Sequence, residues 1–376
     1  MGKVPSNISQ AVQNRTKEGL LRTLTASHFG IDLISNDYLG FSKLGLVAKK
    51  ANELYPDEMK ITGSGGSRLI SGQTTFLEST EKKIAAFHHA QAALIFNSGY
   101  DANLGLLSSV PQKNDLVITD ELIHASIIDG VRLSYAKHYK FRHNDVDHLM
   151  ELLNRHSASF ENIYVVVESV YSMDGDEAAL SHISEFVSRF NNVFLIVDEA
   201  HAIGVFGKNG RGLCTELELE ERCFARIYTY GKAMGCHGAA IVGSVDLKNY
   251  LINFARSFIY TTALPSHSVA AISAAYDLLL ENTQHDQLQN NIGYFVENVK
   301  HHFSFIKSRS AIQCLLLNDR KKADELEKAL RTKNILCKAV KSPTVKEGSE
   351  RIRFCLHAFN TKSEIDQLID NLNRTK

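Results

Sequence analysis

The chain has no tryptophan, only five prolines in 376 residues, and no excess charge of either sign. Lys plus Arg and Asp plus Glu each number 42, so no global field would gather nucleic acid or an anionic membrane. Neither partner is expected. The opening MGKVPSNISQAVQNRTKEG has no apolar core of the signal-peptide kind, and no uninterrupted apolar run reaches the roughly 20 residues that a membrane helix needs. A cytoplasmic location is the expectation. The six cysteines form no CxxC pair and no His/Cys cluster at zinc spacing, which argues against a structural metal or a disulfide scaffold and for free thiols.

Familiar catalytic signatures are missing as well. DEAH at Asp198 to His201 resembles the magnesium-binding acid of an ATPase, but no GxxxxGK[ST] phosphate loop exists. Residue 226 is Arg and residue 233 is Ala, where that loop around Gly231-Lys232 would need Gly and Ser or Thr. In Gly63-Ser64-Gly65-Gly66-Ser67-Arg68, an arginine occupies the third glycine position of a dinucleotide fingerprint, and a tight turn is the better reading. No GxSxG elbow supplies a hydrolase nucleophile. HHAQA at 88–92 is not HExxH, and its two histidines are expected on a helix surface.

What the chain does have is ordinary globular composition, 44% hydrophobic and 22% charged, with enough length for a large domain and a smaller one. From about residue 90, short apolar runs alternate with amphipathic stretches: AALIF, DLVIT, IYVVVES, NVFLIVDEA, RIYTY and AAIVGS. Runs without strict alternation indicate strands buried on both faces, and intervening segments such as SHISEFVSRF carry helical spacing. The expected architecture is α/β, with a mostly parallel central sheet flanked by helices. Past about residue 275, AAISAAYDLLLENTQ, AIQCLLL, RIRFCL and KSEIDQLIDNL predict a smaller C-terminal α+β domain. The boundaries expected are an N-terminal segment over 1–45, a large domain over 46–275 and a small one over 276–376.

Ligands in such sheets sit beyond the carboxyl ends of the strands. There the sequence places Asn97-Ser98-Gly99-Tyr100, Asp120 and His124, Tyr171 to Asp176, Asp198 to His201, and Gly231-Lys232. A lysine after a strand is ordinarily a solvated loop charge. Paired with an acid at the carboxyl end of another, upstream strand, it meets the needs of pyridoxal phosphate: the amine forms a Schiff base and the carboxylate keeps the pyridine nitrogen protonated, so that the ring accepts electrons.

The ordered motifs SNDYLGFS (35–42), GSGGSRLISG (63–72), FNSGYDAN (96–103), HASIIDG (124–130), ESVYSMDGD (168–176), VDEAHAIGVFGKNGRG (197–212), TYGKAMGCHGAA (229–240) and RIRFCLHAFN (351–360) resemble the α-oxoamine synthase family of fold-type I pyridoxal-phosphate enzymes over nearly the whole chain. The resemblance implies that Lys232 is the Schiff-base lysine, Asp198 the pyridinium partner and His124 the stacked imidazole, these three being the catalytic set. It gives His201 and Ser172 to the phenolic oxygen, and Gly99, Tyr100 and Thr229 to the phosphate. Thr261 and Thr262 are implied to reach the neighbouring subunit's phosphate across a homodimer with a shared site. Arg353 is implied to bind the substrate carboxylate, with Arg351 as the alternative, since strand alternation puts both on one face. Arg22 and Thr344 resemble positions near the acyl substrate. The implied reaction is decarboxylative condensation of an amino acid with an acyl thioester, carried by coenzyme A or a carrier protein. L-alanine with a pimeloyl thioester, on the way to biotin, is the expected pair. The family's other members, including 2-amino-3-ketobutyrate ligase and serine palmitoyltransferase, share the same lysine, acid and histidine and remain alternatives. A non-catalytic homologue is disfavoured because every catalytic position is filled.

Overall fold

The computed structural model describes residues 2–24, 29–281, 283–299 and 303–374. It divides into two compact units, Met1–Gly30 and Ile31–Lys376. Among the described residues of the first is one helix, Ser6–Lys17, with no buried residue. The sheets described next all belong to the second.

After a two-residue strand, β1 (Ile31–Asp32), the large sheet takes β2 (Ala92–Phe96), β3 (Leu116–Asp120), β4 (Lys137–Phe141), β5 (Ile163–Glu168), β6 (Val193–Asp198), β7 (Cys223–Thr229) and β8 (Ala239–Gly243). Their spatial order is β2-β8-β7-β6-β5-β3-β4. Every pairing from β7 across to β4 is parallel. By contrast, β8 runs antiparallel to both neighbours. The run AAIVGS looks the same in either direction, so its composition gives no sign of this. β4, KHYKF, is the exposed edge strand; its Lys and His residues are those of an edge that resists further pairing, and it carries no apolar run to announce it.

Alternate strand residues feed two separate cores. Ala93, Ile95, Ile163, Val165, Val167, Val193, Leu195 and Val197 belong to one apolar cluster. Leu94, Phe96, Tyr164, Val166, Ile196, Ala225 and Ile227 belong to the other, with Ala102, Leu106 and Ile127 from the helices Gly99–Ser109 and Ala125–Leu133. The period-two alternation therefore covers both faces of the sheet. Continued to the strand ends, it puts Glu168, Asp198 and Thr229 on the second face, under those two helices.

The C-terminal part adds β9 (Ile312–Leu316), β10 (Ile335–Leu336), β11 (Lys338–Val340) and β12 (Arg351–Cys355). β11, β12 and β9 form an antiparallel sheet in that order, and β10 pairs in parallel with β1. On β12, Ile352 and Phe354 enter the first core, so Arg351 and Arg353 alternate away from it.

Candidate active site

The site forms where β5, β6 and β7 end. Asp198, the last residue of β6, is 5% exposed. Its Oδ2 accepts a hydrogen bond from Asn103 Nδ2 at 2.8 Å and its Oδ1 one from the Ala200 N–H at 2.9 Å. Asn103 lies one turn into the helix that begins at Gly99, and the same amide donates to Ser126 Oγ at 3.1 Å. Ser126 in turn meets His124 Nδ1 through its hydroxyl at 2.8 Å and its main-chain N–H at 3.2 Å. One asparagine thus ties the acid to the histidine that caps the Ala125–Leu133 helix.

Lys232 follows β7 by three residues. Its Nζ lies 2.8 Å from His201 Nε2. The opposite nitrogen, His201 Nδ1, lies 2.8 Å from the Tyr38 hydroxyl, and Tyr38 reaches Asn36 Oδ1 at 3.1 Å. Burial lowers the Lys232 pKa, opposed first by Asp198 and then by the Glu168 carboxyl to the extent that it ionises, and assisted by Arg353. Burial likewise drives His201 well below the usual histidine range, with Lys232 and Arg353 adding to the effect. His124 is lowered by burial too, against the pull of Asp198. At neutral pH the two imidazoles are therefore uncharged partners of a depressed amine.

The helix Gly99–Ser109 points its N-terminus at the end of β7. Ser98 caps it by accepting the Asp101 N–H at 3.1 Å, so the Gly99 and Tyr100 amides open the first turn, where intrahelical acceptors are lacking. A Cβ on Gly99 would collide with the Thr229 hydroxyl. Only glycine lets the turn close on that hydroxyl, leaving two amides and an O–H for an anion. The Tyr100 side chain turns aside to donate to Asp129. Asn97, just before the helix, donates to Thr261 Oγ1 at 3.0 Å and to the Thr262 carbonyl at 2.8 Å.

The C-terminal sheet contributes the arginines. Arg351 is ion-paired with Asp174. Arg353 donates through Nε to the Ser172 carbonyl at 2.8 Å and through Nη2 to Asn36 Oδ1 at 3.0 Å, with the Tyr38 hydroxyl at 3.5 Å. It has no carboxylate at ion-pair distance among the described residues. Thr344 is exposed, its N–H held by the Lys341 carbonyl at 2.9 Å, and Arg22 is exposed within the N-terminal unit. The structure thus brings Lys232, His201, Asp198, His124, Gly99, Tyr100, Thr229, Ser172, Thr261, Thr262 and Arg353 to one end of the sheet.

Asn36, Tyr38, Asn103 and Glu168 complete this arrangement and were not singled out by sequence reasoning. Asn36, Tyr38 and Asn103 stand inside the motifs SNDYLGFS and FNSGYDAN, and that position was the available signal. His88 departs from expectation. It is wholly buried, stacked on Tyr228 with ring centroids 3.6 Å apart, because it ends the Thr75–Phe87 helix under β7 rather than on its surface.

These residues fit pyridoxal phosphate: an anion cradle that only Gly99 permits, a buried acid with fixed donors, and an amine within reach of an imidazole. The model of the aminotransferase class I and II family matches residues 30–372. The chain is 38% identical to 8-amino-7-oxononanoate synthase of Emericella nidulans over 404 aligned residues, covering 97% of this chain and 94% of that one. It is 38% identical to 8-amino-7-oxononanoate synthase 1 of Bacillus subtilis, covering 92% and 88%. Among solved structures, serine palmitoyltransferase of Sphingomonas wittichii aligns with a TM-score of 0.89 at 25% identity, covering 99% and 98%. A variant of the S. paucimobilis serine palmitoyltransferase with bound PLP gives 0.87 at 25% identity, covering 98% and 96%. The 8-amino-7-oxononanoate synthase from Francisella tularensis gives 0.76 at 29% identity, covering 92% and 97%. The chain belongs to the aminotransferase class I and II family and, within it, to the α-oxoamine synthases, fold-type I acyltransferases whose cofactor is pyridoxal phosphate.

Proposed function

We propose that this protein condenses L-alanine with a pimeloyl thioester, releasing carbon dioxide and the free thiol and leaving 8-amino-7-oxononanoate for biotin synthesis. The names of the two relatives at 38% identity support the product, 8-amino-7-oxononanoate. The observation that carries the chemistry is the Lys232 amine 2.8 Å from His201 Nε2, on the same side as the buried Arg353, which has no acidic partner among the described residues.

When bound, pyridoxal phosphate supplies an electron sink for negative charge developing at the substrate Cα. Asp198 holds the proton on the pyridine nitrogen, and Asn103 holds Asp198. His124 offers its ring face, while His201 and Ser172 serve the phenolic oxygen. Gly99, Tyr100 and Thr229 receive the phosphate, joined by Thr261 and Thr262 of a second copy across a homodimer. Arg353 grips the alanine carboxylate, where a planar guanidinium binds two oxygens at once. Lys232, its amine depressed by burial, takes the Cα proton and later returns one. Arg22 and Thr344 attend the acyl chain. We assign the cofactor to a large domain over 46–275, the smaller domain to 276–376, and the protein to the cytoplasm; no helix among the described residues is long and apolar enough to cross a membrane.

Two experiments test the reading. Wild-type protein given the cofactor should show the visible absorption of a lysine-bound ring, and K232A should not; an unchanged K232A spectrum rules out Lys232. Alanine, glycine and serine, each paired with pimeloyl, acetyl, succinyl and palmitoyl thioesters, should give fastest turnover for alanine with pimeloyl. A best rate with glycine and acetyl thioester, or with serine and palmitoyl thioester, would transfer the protein to another branch of the family.

A further inference from the structure

Glu168 is a buried acid that the mechanism above does not use. It ends β5 and is 3% exposed. In the parallel ladder it sits directly opposite Asp198, and the alternation of the strands sends both side chains to the same face. Two carboxyls are therefore neighbours in a dry site. Their surroundings differ: Asp198 accepts from Asn103 and from the Ala200 N–H, whereas Glu168 Oε1 is buried without a hydrogen-bond partner among the described residues. A like charge on the paired residue of the next strand disfavours ionisation of both, and the proton goes to the acid with fewer donors. An orphaned carboxylate oxygen in such a place is costly, whereas a hydroxyl is much less so.

We propose that Glu168 is a positioning residue that stays protonated beside Asp198, leaving the pair's single negative charge on Asp198 for the pyridinium. This rests on the assignment of Asp198 above. The groups facing Glu168 are Asp198 from β6, Asp120 from the end of β3, Lys232 after β7, the His124 main-chain N–H, and Tyr171 from the following turn. Burial is the largest influence, Asp198 adds to it, and Lys232 and the His124 N–H oppose it. Together they push the Glu168 carboxyl up to about 8. Raising the pH past that point would place a second negative charge next to Asp198 and weaken the preference for one defined charge.

The test is E168Q, a neutral near-isostere. In the holoenzyme, E168Q should bind the cofactor at pH 7 within about threefold of wild type; wild type should show an alkaline transition in the cofactor absorption spectrum near the Glu168 titration, and E168Q should lack it. Without cofactor, the melting temperature of E168Q relative to wild type should climb as pH rises from 5 to about 8, because only the wild-type native state must hold a proton that its unfolded chain has released. Cofactor affinity falling about tenfold or more in E168Q at pH 7 would overturn the proposal, as would wild-type stability showing no extra downward slope over that range. An E168Q that fails to fold also counts against it, since a neutral side chain should be tolerated. If Asp198 were not the cofactor's partner, D198N would leave cofactor binding intact. That result would defeat the functional reading while the melting data on cofactor-free protein still decided the protonation of Glu168.

Discussion

Arg351 and Arg353 leave β12 from the same face, yet only one of them is free to meet a substrate. The Arg351 and Asp174 side chains are 7% and 13% exposed and paired with each other. Arg353 spends its donors on the neutral acceptors Ser172 O, Asn36 Oδ1 and Cys355 Sγ, so its positive charge is uncompensated. R353A should raise the KM for the amino acid by roughly tenfold to a hundredfold, the equivalent of a charge-assisted hydrogen bond worth about 1.5–3 kcal/mol, with little change in KM for the thioester. R353K should recover only part of this, since an ammonium lacks the planar fork. R351A should instead leave Asp174 buried and unpaired and cost about 3–5 kcal/mol of stability, read by urea denaturation, with amino-acid KM near wild type. The reverse pattern would exchange the two roles. The sequence narrowed the choice to this pair and could go no further, because what separates them is Asp174, a residue 177 positions away.

Between elements, the turn from Tyr171 to Asp176 is gripped from two sides. From β12 come Arg351 and Arg353. From the loop after β4 comes His143, whose Nδ1 lies 3.0 Å from Asp120 Oδ1 and whose Nε2 lies 2.8 Å from Asp176 Oδ2, with Tyr171 edge-on to its ring. Burial alone would depress this histidine; the bonds to Asp120 and Asp176 outweigh it and hold the pKa up at about 10. The native state therefore keeps a proton that the unfolded chain loses above its ordinary 6.5. The stabilisation is complete below pH 6.5 and disappears as pH rises through about 10. H143Q should be less stable than wild type at pH 6, with the gap in melting temperature closing by about pH 10; a gap independent of pH would mean that packing, not charge, is what His143 supplies. Such links show where the sequence stops being legible. Apolar runs announced β2, β3 and β5 to β8, because burial on both faces imposes composition directly. The edge strand β4, the direction of β8, the burial of His88 and the bridge through Asn103 depend on which segments become neighbours, and no local pattern records that.

At the scale of the whole molecule, assembly bears on the site itself. Large apolar side chains stand exposed around the cradle, Ile70 at 86%, Leu69 at 55% and Tyr260 at 73% on loops, and Tyr100 at 44% in the first turn of the Gly99–Ser109 helix. These loops are tied to one another and to the Gly99 end of the site, since Gly66 O accepts the Ala263 N–H at 3.0 Å and Thr261 is held by Asn97. Exposed apolar residues gathered on the rim of a polar cleft are the surface that a second subunit would cover, and a formal net charge of zero puts no long-range repulsion in its way. The proposed homodimer with a shared site predicts that the wild-type protein sediments as a dimer at micromolar concentration. I70D changes a side chain that supports nothing within one subunit, so it should leave the far-ultraviolet circular dichroism unchanged. It should shift the sedimenting species toward the monomer and, in the same proportion, lower both cofactor absorption and turnover. Because Thr261 and Thr262 are assigned to the partner's phosphate, activity should also fall on dilution below the dissociation constant and return on concentration. A fully active monomer, or an I70D monomer that retains its cofactor, would confine the site to one chain.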